Sequence, residues 1–139
     1  MLLSLAGALP FLFCAGMMAF VPADERHAYL RAMIAYAAVI LSFLGGIQWG
    51  TALSIAASAP RSATTLFILS IVPSLLAWAV LLIEADHRRI FLAIFLFGLV
   101  WAIDALLYLQ KLIPRWFFQL RCGITPVVIA CLTSTLFFS

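Results

Sequence analysis

The residue best placed to do chemistry is Asp104, the single acidic side chain inside an otherwise apolar stretch, Ile90 to Gln110. An ionisable group at such a position is costly in a bilayer and marks a functional or structural polar site. Trp101, Asp104, Tyr108 and Lys111 follow one another at steps of three and four, which puts them on one helical face. A network of the carboxylate, the phenol and a cation is therefore expected. The cation is Arg121 or Lys111 if Asp104 serves an internal ion pair. Otherwise the carboxylate coordinates a ligand or handles protons.

Gln48 is the second polar intruder, in Ile40-Leu41-Ser42-Phe43-Leu44-Gly45-Gly46-Ile47-Gln48-Trp49-Gly50. Around it Ala38, Ser42, Gly46, Gly50, Ser54 and Ser58 recur at every fourth position. Small residues in that register let two membrane helices approach closely, so Ser42, Gly45, Gly46, Gly50 and Ser54 are expected to pack against a neighbour. At about 100° per residue, Gln48 points roughly 160–200° away from Gly46 and Gly50. A bare amide facing lipid is costly, so Gln48 requires a partner on the other side of its helix. That makes the second span the central one. Gln48, Trp49, Asp104 and Arg121 are the candidate ligand-binding residues.

The elements that position these residues follow from composition. The chain has 139 residues, of which 67% are hydrophobic and 9% charged, with a mean hydropathy of +1.22. A soluble domain carries about 25% charged residues, so most of this surface must face lipid or other helices. A hydrocarbon layer roughly 30 Å thick needs about 20 apolar residues per helical span. Breakers and charge clusters divide the chain into five spans, at about 2–21, 31–57, 64–83, 90–110 and 122–138. The expected architecture is an all-α, polytopic bundle of five transmembrane helices in a single membrane domain. Residues 111–121, mixing cations with aromatics, are expected to lie in the interface. The first stretch has no basic region before Leu2 and is read as a retained helix rather than a signal peptide.

Five spans place Arg61, Lys111, Arg115 and Arg121 on one side and Arg26, Arg31, Arg88 and Arg89 on the other. That even split leaves orientation open under the positive-inside rule. The cationic, aromatic fourth loop suits an anionic cytoplasmic leaflet. Gln48 and Asp104 fall on the order of 9–14 Å inside that same side, at about 1.5 Å per residue. Pro10, Pro73 and Pro126 fall at comparable depths, and each frees a backbone carbonyl. A polar crevice in one leaflet is therefore expected.

Other chemistries find little support. His27 and His87 sit in charged loops without companions at metal-site spacing, so no metal site is expected. Cys14, Cys122 and Cys131 lie in apolar segments and read as small hydrophobes. No nucleophile turn or phosphate-cradling glycine loop occurs. The net charge of +3 is dispersed, which argues against nucleic acid as a partner. The chain is expected to be no enzyme and to need no cofactor.

The chain resembles the domain of unknown function 3429 family, whose eukaryotic members are called transmembrane protein 69. The resemblance rests on Gly7-Ala8-Leu9-Pro10-Phe11, Tyr36, the Ser42-Phe43-Leu44-Gly45-Gly46-Ile47-Gln48-Trp49-Gly50 element, Pro73-Ser74-Leu75-Leu76-Ala77-Trp78, Asp104, Pro114-Arg115-Trp116, Leu120-Arg121 and Thr125. It implies a multi-pass protein of an energy-coupling membrane, the inner membrane in bacteria, and carries no activity to transfer. The expected role is that of a structural, assembly or accessory component whose partners are the lipid bilayer and other membrane proteins. The alternative is a binder or transporter of a small lipophilic or ionic ligand in the one-leaflet crevice.

Overall fold

The structure is a computed structural model that describes residues 6–137. Five α-helices follow in chain order: α1 Leu9–Phe20, α2 Ala23–Ile55, α3 Pro60–Leu81, α4 Asp86–Leu109 and α5 Arg115–Thr135. Their starts are written in proline. Pro60 and Pro10 stand at the first positions of α3 and α1, and Pro22 and Pro114 precede α2 and α5. A missing N–H costs nothing in a first turn, whose donors have no intrahelical acceptor anyway. Asp24 and Glu25 in the first turn of α2, and Asp86 in that of α4, add charge of the sign the helix dipole favours there.

Helices α2 to α5 are each long and apolar enough to cross a membrane. The chain is thus an all-α, multi-pass membrane protein. The 33 residues of α2 extend about 50 Å at ~1.5 Å per residue, well beyond the hydrocarbon layer. This helix begins eight residues before the expected boundary at 31, because its charged first turns remain helical outside the lipid. The segment expected as one interfacial stretch at 111–121 is likewise divided, since α5 already starts at Arg115.

The first span departs most from expectation. Residues 7 and 8 form a turn, and α1 proper is 12 residues long, about 18 Å at ~1.5 Å per residue. The expected start at Leu2 lies outside the described residues. Tyr36 of α2 donates its hydroxyl proton to the Gly7 carbonyl at 3.1 Å, satisfying a backbone acceptor in the turn that no helix covers.

Helix α2 packs against α1, α3 and α4, and α5 against α1 and α4. The main core draws on all five helices, through Phe11, Met33, Leu41, Ala77, Phe97 and Leu132 among others. Phe11 meets Tyr36 and Phe97 edge-on, at ring-centre distances of 5.2 Å and 5.9 Å. A second, smaller core gathers Ala52, Leu66, Ile103, Leu107 and Ile113 near one end of the bundle. Along α2 and α4 the register passes from the first core to the second at Gln48 and Asp104. The polar residues thus occupy the seam between two apolar clusters.

Candidate functional site: a buried Gln48–Asp104–Arg121 cluster

Three helices each contribute one polar side chain to this seam. Gln48 stands two turns before the end of α2, Asp104 in the last turns of α4, and Arg121 in the second turn of α5. They are 1%, 2% and 5% exposed. Arg121 Nε donates to Asp104 Oδ2 at 2.8 Å, and Gln48 Nε2 donates to Asp104 Oδ1 at 3.1 Å. Both carboxylate oxygens are therefore engaged. The amide must present its nitrogen here, because its carbonyl would face another acceptor.

An isolated buried charge costs several kcal/mol even after relaxation, and removing one partner of a buried pair costs about 3–5 kcal/mol. The opposite charges are therefore held together, and through them α2, α4 and α5. Of the two cations the sequence offered, Arg121 is the partner. Lys111 lies past the end of α4 and is exposed. Tyr108 does not bond the carboxylate but stacks on Phe118 of α5, at 4.7 Å between ring centres with planes 8° apart. Trp101 also stacks on Phe118, at 6.0 Å between ring centres.

Trp49 stands apart from the cluster. It is 41% exposed and packs on Phe67 of α3 with ring centres 4.6 Å apart. Three of the four expected ligand-binding residues are thus brought together and the fourth faces another helix. Of the prolines expected near the crevice, Pro73 is buried in α3, while Pro126 is exposed and lines a groove with Trp101 and Thr125.

The packing seam on α2 requires correction. Ser42, Gly46, Gly50 and Ser54 are exposed, and a Cβ at Gly46 or Gly50 would meet nothing within 4 Å. Only Gly45 packs closely: a Cβ there would fall on the Ser70 carbonyl oxygen of α3 and lie 3.2 Å from Ser74 Oγ. The cause is the rotation of α2 about its axis. Gln48 and Gly45 both turn inward, and the ridge nearly opposite Gln48 is left outside. Ser42 and Ser54 hydroxyls bond their own helix, to Ala38 O at 2.9 Å and Thr51 O at 2.7 Å, so the ridge exposes no unmet donor.

Three buried polar atoms at this end have no hydrogen-bond partner: Gln48 Oε1, Arg121 Nη2 and Thr125 Oγ1. Such an atom costs about 1–3 kcal/mol when left unmet. Thr125 enters one turn beyond Arg121, and a sequence reading that starts the fifth helix at Cys122 misses that they share a helical face. Beside Arg121 lies a cavity of about 400 Å³ between α1, α2, α4 and α5.

The opposite end of the bundle holds a different polar group. Asp86 at the start of α4 is 2.8 Å from His27 Nδ1 of α2 and 3.2 Å from Arg89 Nη1. Arg89 Nε donates to the Ile83 carbonyl. His27, expected to be a solvated loop histidine, is 72% exposed in its side chain yet ties the start of α2 to the start of α4. Cys14 and Cys131 are buried and Cys122 is exposed, all as free thiols. Among the described residues, no three His, Cys, Asp or Glu side chains converge as a metal site would require.

A helical, multi-pass membrane protein whose buried Asp104 carboxylate is neutralised by an arginine from the next helix is the class these features define. Residues 1–137 match the model of the family described as Protein of unknown function (DUF3429), and the chain belongs to that family. It is 36% identical over 135 residues to Transmembrane protein 69 of Xenopus tropicalis, an alignment covering 96% of this chain. That relative is longer, and the chain spans 52% of its length. No solved structure matches.

Proposed function

We propose that this protein is a non-enzymatic structural, assembly or accessory component of an energy-coupling membrane, the inner membrane in a bacterial setting. The observation that carries this reading is the state of Asp104. Its two oxygens are taken by Gln48 and Arg121, so the one carboxylate inside the spans is committed to joining α2, α4 and α5. A side chain so engaged stabilises an arrangement of helices and is poorly placed for proton transfer or coordination.

The outward ridge of α2 supports the same role. Ser42, Gly46, Gly50 and Ser54 would allow a helix of another membrane protein to approach closely, with van der Waals packing as the driving term. A cross-linking amino acid placed at Gly46, followed by extraction in mild detergent and mass spectrometry, tests the proposal. The expected result is a specific adduct with another membrane protein, weakened in Asp104→Asn by the loosened helix arrangement. Lipid adducts alone, together with unchanged sedimentation of Asp104→Asn, would overturn it. An adduct only with a second copy of the chain would make the role self-assembly.

A further inference from the structure

A guanidinium carries five N–H donors in a fixed fork, and a bilayer interior supplies no acceptors of its own. Arg121 is 5% exposed and its Nη2 has no hydrogen-bond partner. The same side chain lines the cavity of about 400 Å³, a volume within the ~300–1,000 Å³ range of small-molecule sites. An unmet donor on a charged group and an adjoining space of ligand size are independent observations that meet at one residue.

The rest of the lining fixes the body of the occupant. Phe11, Ile47, Phe97, Ile124 and Val128 are apolar. Phe43 and Trp116, 65% and 61% exposed, form its rim, so entry is from the hydrocarbon. A lone water is a poor occupant, because a buried water needs two to four polar partners. Gly7 also lines the cavity, but its carbonyl already accepts from Tyr36.

Charge fixes the head. Asp104 already neutralises Arg121 at 2.8 Å. A second anion would leave a net negative charge in a low-dielectric site, which is strongly disfavoured. A neutral acceptor completes the fork at no such cost. We propose that this cavity binds a neutral lipophilic molecule whose carbonyl oxygen accepts a hydrogen bond from the Arg121 guanidinium. Acyl esters and membrane quinones share that chemistry.

The test uses the whole protein in nanodiscs, with Trp116 kept as sole fluorophore by Trp49→Phe, Trp78→Phe and Trp101→Phe. The probes are a brominated monoacylglycerol, a short-tailed quinone, a chain-matched bromoalkane, and a brominated fatty acid held ionised. Saturable quenching by the ester, the quinone or both supports the site, and the arm that binds names the source. A hydrogen bond to a charged donor predicts at least about tenfold tighter binding than the bromoalkane. The paired substitution Asp104→Asn with Arg121→Gln keeps the site neutral and should remove that advantage. Ile124→Phe, which fills the cavity and leaves the polar cluster intact, should abolish saturation. Equal quenching by the bromoalkane, tighter binding of the ionised acid, or no saturation with any probe would each overturn the proposal.

Discussion

Arg121 Nε stands 2.8 Å from Asp104 Oδ2, seventeen residues away in sequence and on the next helix. Both side chains are almost fully buried, and Gln48 closes the carboxylate from a third helix. This contact makes the α4–α5 turn part of a cross-braced unit with α2, and the predictions follow from how that unit is built.

Gln48→Leu should destabilise the protein without unfolding it. The substitution leaves the charged Asp104 Oδ1 buried without its donor, which outweighs the relief from removing the unmet neutral Gln48 Oε1, for a net loss of up to about 1–3 kcal/mol. Unfolding in graded denaturing detergent, followed by far-ultraviolet circular dichroism, should show the midpoint moving down with the helical signal of the folded state retained.

Neighbouring glycines on α2 should respond in opposite directions. Gly45→Ala forces a methyl onto the Ser70 backbone of α3 and should cost about 1–3 kcal/mol, the range for overpacking. Gly46→Ala meets nothing within 4 Å and should be neutral or stabilising by up to ~1 kcal/mol, the helix preference of Ala over Gly. Thermal melts of the two purified variants in one detergent give the comparison directly.

Lys111 occupies a backbone position that suits glycine. Its φ is 58°, and the bonds Lys111 N→Tyr108 O and Leu112 N→Leu107 O, both 2.9 Å, make the paired helix-ending motif whose left-handed residue is usually Gly. Lys111→Gly should therefore stabilise the isolated protein by up to about 1–2 kcal/mol, the side-chain cost of that conformation. A rise in melting temperature checks it. A fall would show that the lysine side chain holds the turn by contacts worth more than the strain.

The helix count and the burial of Gln48 and Asp104 were legible because both follow from bilayer physics. Apolar runs must be helical in lipid, and lone polar groups must find partners there. The helix ends were harder to read. Hydropathy trims the turns of α2 that carry Asp24, Glu25, Arg26 and His27, and it stops at Arg121 because a cation looks like a loop. In the folded chain that cation is neutralised and buried, so α5 begins at Arg115 and brings Thr125 onto the same face. The ridge of small residues was visible as a pattern, yet a period fixes only which residues share a face. Which way the face points depends on the rotation of α2, set by the inward demands of Gln48 and Gly45. The left-handed Lys111 carried no signal, because a lysine in a cationic loop gives no hint of its φ. The orphaned Nη2 depends on three-dimensional neighbours that spacing alone does not specify.

Asp104 and Arg121 act on each other to hold helices together. A double-mutant cycle on unfolding free energy, with Asp104→Asn, Arg121→Gln and the pair, measures it most directly. Each single variant should lose stability by leaving one charge buried without its opposite, up to about 3–5 kcal/mol. The pair should be less damaged than the sum, with a coupling in the range of about 0.5–3 kcal/mol. Additive losses with no coupling, in variants that remain folded, would contradict it.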